Sequence, residues 1–383
     1  MRFKMKIAFS AILLFYILPI SAVQDPEEDV TKARLQLGNS KWLQLHYFLQ
    51  TGYNVSESGN GWSQDFTLDT SRLIVNGQVG ENIYFFVQTD DITVAENSKN
   101  DGGNNVFTKD AYIQLSPFSW LQCYSGIFKV PFTRENIQSD ATTLFQKKND
   151  WFVPMNGFAG DGRDLGFMLR GFALYDVIEY RIGAFEGLRE NSSNPNVANG
   201  DSFPRVSGRF SLNIAGEEGK EEGLYNSANY IGKREVFVIG IGADFQYDVF
   251  QSRENYLGMT VDVTADQMLN WGDSFGFQGA YMLVKHNPVE GYDSASSTLL
   301  YSNFSGYYAQ VYYYSETAKT QVYTRYNVRE MDSYENYSEW TNGMTFYLNG
   351  HNANFKMEYN MPLKENKDID GEQYFSVMLQ LYI

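Results

Sequence analysis

Residues 42–53, WLQLHYFLQTGY, alternate apolar and polar side chains along most of their length. Leu43 and Leu45 stand at odd positions, whereas Gln44 and His46 stand at even positions. Because successive side chains of a β-strand point to opposite faces, this period of two predicts a strand with one apolar and one largely polar face. Beyond residue 22, no apolar run approaches the roughly 20 residues that a membrane-spanning helix needs.

Sixteen segments of the chain show this alternation and are predicted to be strands. The last of them keeps its apolar positions in phase up to Ile383, so we expect the sheet to close on the chain's own terminus without an unpaired edge. The predicted strands lie near 42–53, 66–79, 83–90, 108–116, 121–132, 163–172, 178–187, 204–213, 235–246, 256–266, 274–286, 305–315, 319–329, 339–350, 353–361 and 372–383.

The connections between these strands also alternate in length. Numbered from the first strand, connections 2, 12 and 14 are short, whereas connections 3, 5, 7 and 11 are long. Outer-membrane barrels show this alternation, because short periplasmic turns face longer external loops. Connection 8, residues 215–234, is long where a short turn is expected, so either this turn is elaborated or a strand is misplaced. A soluble β-sandwich is the alternative fold, although it needs far fewer strands.

The composition excludes several classes of protein. One Cys and three His among 383 residues cannot build a disulfide scaffold or a Cys/His zinc cluster. The net charge of −16 repels a phosphate backbone, so no nucleic-acid partner is expected. The 28 Tyr and 6 Trp residues suit the two aromatic belts that a barrel carries at the membrane interfaces.

The N-terminus is typical of a secretory signal peptide. Three cations lie in the first six residues, an apolar stretch covers 7–20, and the small residues Ser21 and Ala22 follow. We therefore predict a cleaved signal peptide at 1–22, a short segment at 23–40 and an outer-membrane barrel at 41–383. The expected location is the outer membrane of a Gram-negative bacterium.

Four motifs occur in the order and spacing of a known porin family. They are GIFKVPFTRE (126–135), RDLGFMLRG (163–171), YRIGAFEG (180–187) and GKREVFVIGIGA (232–243). With them, residues 40–383 resemble the phosphate-selective porin O/P family. The resemblance implies a sixteen-stranded homotrimeric porin whose third external loop, here 133–162, folds inward and narrows the pore. The candidate constriction residues are Arg134, Glu135, Lys147, Lys148, Trp151 and Arg163.

Strand parity predicts which side chains face the lumen, because a residue between outward apolar positions points inward. Leu165 and Leu169 on the outer face place Arg170 inside. Phe128, Val130 and Phe132 are likewise expected outside, with Lys129 inside. The predicted pore-lining cations are Arg72, Lys129, Arg170, Arg181, Arg205 and Arg209.

Two interpretations of these cations stay open. A row of cations can replace the hydration of a passing anion and so form an anion track, with phosphate as a candidate. Alternatively, the cations face an acidic wall, and the resulting transverse field gives weak selectivity. The predicted inward acids, which favour the second interpretation, are Asp90, Asp110, Glu179, Asp262 and Glu358.

The sequence therefore predicts an all-β transmembrane antiparallel barrel that acts as a porin. Small hydrophilic solutes are expected to diffuse through it passively, with a lean toward anions, and no catalysed reaction, metal or cofactor is expected. Its expected partners are outer-membrane lipid, the diffusing solutes, two further copies in a homotrimer, and the barrel-assembly machinery that reads the C-terminal strand. The alternatives are a channel specific for phosphate or other oxyanions and, more distantly, a secreted β-sandwich that binds polysaccharide.

Overall fold

The computed structural model describes most of the chain from Arg34 onward, within one compact unit that spans Arg34–Ile383. The described residues are 34–58, 61–89, 108–118, 120–146, 148–149, 152–153, 162–187, 203–216, 218, 223–249, 254–269, 271–293, 298–331, 336–364 and 373–383. The predicted signal peptide and residues 23–33 lie outside them.

Within these residues the chain forms seventeen β-strands. They are β1 (Leu35–Gly38), β2 (Lys41–Ser58), β3 (Gly61–Gly80), β4 (Ile83–Thr89), β5 (Thr108–Phe118), β6 (Leu121–Lys129), β7 (Arg163–Ala173), β8 (Ile178–Phe185), β9 (Arg205–Ala215), β10 (Val236–Val249), β11 (Glu254–Met268), β12 (Ser274–Asp293), β13 (Thr298–Ser315), β14 (Thr320–Met331), β15 (Tyr337–Asn349), β16 (Ala353–Lys364) and β17 (Gln373–Tyr382).

Strands β2 to β17 close into a ring of sixteen. Each pairs antiparallel with the next, and β17 pairs with β2 from Gln373↔Glu57 to Tyr382↔Phe48. Ile383 and Tyr47 exchange two backbone hydrogen bonds of 2.8 and 3.0 Å, so the last residue is part of the seam. The closed ring confirms the predicted sixteen-stranded barrel and excludes a two-sheet sandwich.

Strand β1 lies outside the ring and was not predicted. It pairs with the first residues of β2, from Leu35↔Leu43 to Gly38↔Lys41. The pairing of β17 along β2 ends at Phe48, so β1 covers a stretch of β2 that β17 does not reach. Four residues are too few for the alternation of a full strand to be recognised in the sequence.

The two faces of the barrel wall have opposite polarity, inverted relative to a water-soluble protein. On β7, Phe167 is 70% exposed on the outside, whereas Asp164 and Arg170 are 0% and 2% exposed on the inside. The other strands also carry large apolar side chains outside, and most of them carry polar or charged side chains inside. A cluster of buried apolar side chains that includes Phe128, Phe185 and Met282 also lies on the inner face. Water-soluble surfaces rarely expose such a continuous apolar area.

Glycines on the inner face make room for tyrosine rings of the neighbouring strand. A Cβ on Gly276 would lie 2.0 Å from the ring of Tyr312, its partner across β12 and β13. Gly343 and Tyr323 repeat the arrangement on β15 and β14, with a distance of 2.2 Å. The rings therefore lie against the wall, and glycine is required beneath them.

Among the described residues, two connections enter the lumen. The β6–β7 loop carries helix α1 (Arg134–Ile137) and a 3₁₀ turn (Asp140–Thr142). Thr133 begins α1 by accepting a hydrogen bond of 3.1 Å from Asn136 N, as N-cap residues do. The β9–β10 segment, residues 218 and 223–235, enters from the end of the barrel where the short turns lie. No helix in the described ranges is long and apolar enough to cross a membrane.

Candidate functional site: the barrel interior

The β6–β7 loop leaves the wall earlier than the sequence pattern indicated. Phe128, Val130 and Phe132 are each 0% exposed, so the prediction that they face outward is wrong. Phe128 pairs with the inward Asp164, and its ring lies 5.6 Å from that of Phe185. Strand β6 ends at Lys129, so parity no longer determines where the following side chains point.

The β6–β7 loop crosses the lumen and contacts the opposite wall. Lys356 Nζ donates to Thr143 O at 2.6 Å, and Asn149 Nδ2 donates to Asn327 Oδ1 at 3.0 Å. The ring of Phe145 meets that of Tyr323 at 4.7 Å. The loop therefore folds inward, as the resemblance implied.

The predicted constriction residues fall into three places. Arg134 and Glu135 are buried in α1, and Lys148 is half-buried deeper in the loop. Arg163 starts β7 and pairs with Asp110 at 3.1 Å. Lys147 and Trp151 lie outside the described residues.

Asp140 is the charge centre of the loop and was missed by sequence reasoning. Its carboxylate lies 2.6 Å from Arg72 Nη1, 2.9 Å from Lys129 Nζ and 2.6 Å from Lys148 Nζ. Burial alone would raise the pKa of Asp140, but Lys129, Lys148 and Arg72 together hold that pKa well below its usual range. The loop thus gathers three of the predicted cations around one acid that no strand pattern could place.

The remaining predicted pore-lining cations also lie inside the barrel and are ion-paired. Arg170 and Arg181 share Glu179, with Nε–Oε1 distances of 2.7 and 2.9 Å. Arg209 makes two hydrogen bonds of 2.6 and 2.7 Å with Asp262. Arg205 pairs with Asp244, to which its Nε donates at 2.8 Å.

Cations and acids balance among the buried side chains. In the described ranges, the buried charged side chains comprise ten cations and ten carboxylates. Of the predicted inward acids, Asp110, Glu179, Asp262 and Glu358 are buried, and Asp90 lies outside the described residues. Burial of charge at this density is tolerated because most of the partners lie at hydrogen-bond distance.

The β9–β10 segment occupies the part of the lumen beside the β6–β7 loop. Glu218 accepts two hydrogen bonds of 2.5 Å from Arg134. Arg181 Nη2 donates to Asn226 Oδ1 at 2.5 Å, and Arg170 donates to Gly223 O. The unusually long connection in the sequence is therefore an elaborated turn, and no strand was misplaced.

A cavity of about 710 Å³ opens at the short-turn end. We call it the vestibule. Four cations and two acids line it, namely Arg34, Arg72, Lys129, Arg163, Glu81 and Asp140. Aromatic rings form part of its wall, where Trp42 meets Tyr84 at 6.1 Å and Tyr84 meets Tyr112 at 6.5 Å. The vestibule thus combines an excess of positive charge with aromatic side chains that carry polar groups.

In the part of the chain that the structure describes, no group of three or more His, Cys, Asp or Glu residues is placed to hold a metal ion. His46 stacks on Tyr382 at 5.3 Å near the seam of the ring.

Comparison with known proteins finds similarity only at the level of the fold. The sequence matches no protein-family model and no curated protein. Among solved structures, OmpF of Salmonella typhi in complex with daunomycin matches with a TM-score of 0.60 and 10% identity, over 91% of this chain and 100% of that chain. An anion-selective porin from Comamonas acidovorans matches with a TM-score of 0.57 and 10% identity, over 90% of this chain and 100% of that one. OmpT of Vibrio cholerae in its trimer form matches with a TM-score of 0.55 and 10% identity, over 90% of this chain and 100% of that chain. The chain therefore has the closed barrel fold of these outer-membrane proteins.

Proposed function

We propose that this protein is an outer-membrane porin through which small hydrophilic solutes diffuse passively, without a catalysed reaction. The observation that carries the proposal is the inverted polarity of the wall. Its outer face is apolar, as at Phe167 and Leu169, and its inner face is charged, as at Asp164 and Arg170. A closed barrel with this polarity suits a bilayer, because its backbone hydrogen bonds are satisfied within the ring.

Anions are the favoured solutes of the proposed channel. The ion pairs along the inner wall, Arg163–Asp110 among them, cancel one another, but the vestibule retains Arg34, Arg72 and Lys129 against the two acids Glu81 and Asp140. A local excess of positive charge concentrates anions and lowers their barrier to entry. One of the matched structures is an anion-selective porin, which agrees with this direction.

A channel specific for phosphate or another oxyanion is the second candidate. The motifs shared with the phosphate-selective porin O/P family support it, although no family model matches the sequence. Asp140 occupies the centre of the strongest cation cluster, so an oxyanion there would have to compete with a carboxylate that is already bound.

The proposal includes the cellular context of a porin. The chain would be exported with its signal peptide, inserted by the assembly machinery and surrounded by outer-membrane lipid as a homotrimer. The trimer form of the matched OmpT is consistent with this assembly. Chemical cross-linking of the detergent-extracted protein tests the oligomeric state.

The experiment that tests the function is conductance in a planar bilayer. We expect the detergent-extracted or refolded protein to form discrete ohmic channels, and its reversal potential under a KCl gradient to indicate a preference for chloride. Titration with inorganic phosphate then separates the two candidates, since only an oxyanion-specific channel is blocked at low phosphate concentrations. A folded barrel, recognised by heat-modifiable gel mobility, that never conducts would contradict the proposal.

A further inference from the structure

The β9–β10 segment is far longer than its structural task requires. It joins strands that are direct neighbours in the ring, where Ala215 pairs with Phe237. Two residues suffice to connect antiparallel neighbours, yet this connection spans 216–235. The additional chain lies in the lumen, so its length is explained by what it contacts there.

The segment pairs directly with the β6–β7 loop, which enters from the opposite end of the barrel. Gln138 and Asn226 form a parallel β-bridge. Ser139 N donates to Asn226 O at 2.9 Å, and Asn226 N donates to Ile137 O at 3.0 Å. The two inserts therefore meet backbone to backbone inside the barrel.

A buried ion pair joins the same two inserts. Arg134 on α1 and Glu218 are each 1% exposed, and they share two hydrogen bonds of 2.5 Å. Tyr230 Oη also donates to Glu218 Oε1, at 2.9 Å. Removing one member leaves the other charge buried without its partner, which strongly favours separation of the inserts.

The barrel wall holds the segment in position. Arg181 Nη1 donates to Leu224 O at 2.7 Å, and Arg170 donates to Gly223 O. On the opposite side, the amide of Gln278 accepts from Gln138 Nε2 at 3.1 Å and donates to Ala228 O, so one wall residue binds both inserts.

Open space borders the segment along its length. Residues 223–225 line the vestibule, and a second cavity of about 380 Å³ lies against 227–234 and the β15–β16 turn. The described part of the β9–β10 segment therefore borders both of these cavities at the short-turn end.

We propose that the β9–β10 segment is a second constriction element, latched to the β6–β7 loop by Arg134 and Glu218, and that it sets the width of the passage at the short-turn end. This inference rests on the proposed function, that the barrel conducts. The β6–β7 loop alone would leave the path beside β7 to β10 wider.

The main test replaces 217–234 with an Asn-Gly turn, which suits the paired ends of β9 and β10. We expect single-channel conductance to rise about twofold or more, and larger polyethylene glycols to enter the pore, because pore width governs conduction and exclusion. Glu218→Gln should give a smaller rise in the same direction. Its matched control is Glu316→Gln, which removes an exposed carboxylate on the β13–β14 turn and should leave conductance unchanged.

A disulfide lock provides the reverse test. Gln138→Cys with Asn226→Cys, in a Cys123→Ser background, places two thiols on bridged residues. In the Glu218→Gln variant, the oxidised disulfide should return the conductance to the wild-type value. A reducing agent should then raise the conductance again to that of Glu218→Gln alone. Failure of the two cysteines to cross-link would overturn the docked arrangement.

The outcomes separate the two proposals. If the wild type and the folded Asn-Gly variant have the same conductance, the proposal of a second constriction is wrong, whereas the proposed porin function is unaffected. If neither folded protein conducts, the proposed function fails and this inference fails with it.

Discussion

Asp140 accepts a hydrogen bond of 2.6 Å from Arg72 Nη1, which lies 68 positions earlier in the chain. The same carboxylate also binds Lys129 and Lys148. One acid on an inserted loop therefore holds that loop against the wall and offsets one of the three positive charges of Arg72, Lys129 and Lys148, the first two of which line the vestibule. The net charge of the vestibule therefore depends on Asp140, a residue that lies outside the strands.

Substitution Asp140→Asn is expected to increase anion preference. It removes one negative charge and leaves Arg72 and Lys129, which line the vestibule, and the neighbouring Lys148 with less compensation. The chloride-to-potassium permeability ratio should therefore rise roughly twofold or more. The reversal potential under a KCl gradient measures this ratio. The control is Asp65→Asn, an equal change of charge at an exposed position of β3. Equal reversal potentials for the two variants would contradict the role of Asp140.

The double substitution Arg170→Ala/Arg181→Ala is expected to shift selectivity toward cations. It removes two positive charges, deprives Glu179 of both partners, and releases the carbonyls of Gly223 and Leu224 from the wall. We expect the reversal potential to move toward the equilibrium potential of potassium. We also expect the conductance to rise, because the β9–β10 segment is held less firmly.

The matched control for this double variant is Lys319→Ala, because Lys319 is a cation on an exposed turn at the same end of the barrel. Wild-type selectivity in the folded double variant would show that these arginines act only on the structure.

Substitution Gly276→Ala is expected to destabilise the barrel. The new methyl group would overlap the ring of Tyr312, which cannot retreat easily because it packs with Leu144 and Phe145 of the β6–β7 loop. Overpacking of this kind typically costs about 1–3 kcal/mol. The temperature at which the folded gel band is lost measures the effect. Gly80→Ala is the control, because its nearest neighbour would be 4.0 Å away, and an equal loss in both variants would contradict the explanation.

The stability of the barrel should fall between pH 6.5 and pH 4 because of His351. Burial, reinforced by Lys356 and Lys233, lowers the pKa of this histidine to about 4, despite a hydrogen bond with Asn229 O at 3.2 Å. The unfolded chain gains a proton near pH 6.5 and the folded chain only near pH 4. The contribution of neutral His351 to stability is therefore complete above pH 6.5 and is lost as the pH falls toward 4.

Denaturant unfolding of the detergent-solubilised barrel at pH 7 and pH 4.5 checks this dependence. We expect His351→Gln to show a smaller decrease than the wild type. Identical decreases for both proteins would assign the pH dependence to other groups.

The wall of the barrel could be predicted from the sequence because its information is local. Each of the sixteen predicted strands coincides with a ring strand, and β12 and β13 extend further because their pairing continues to Asp293↔Thr298. Parity also placed Arg170 and Arg181 inside, since their strands remain in the wall along their whole length.

The contents of the lumen could not be predicted in this way. Phe128 was placed on the wrong face because its alternation with Val130 and Phe132 was assigned to one continuous strand, although β6 ends at Lys129. Asp140 and Glu218 were missed because they lie on chain that has left the wall. The resemblance to a porin family indicated that the β6–β7 loop folds inward, but it gave no reason to expect the same of the β9–β10 segment.

By itself, the sequence determined the strands, the closure at Ile383 and the inner and outer faces of strands such as β7 and β8, because a period of two along the chain is enough to specify them where the strand stays in the wall. Only the tertiary structure decided which cation meets which acid and how the two inserts join. Contacts such as Arg134–Glu218 and Arg72–Asp140 link residues that are 84 and 68 positions apart. Their geometry arises when the ring has closed and the inserted chain must satisfy its charges and backbone groups inside a confined space.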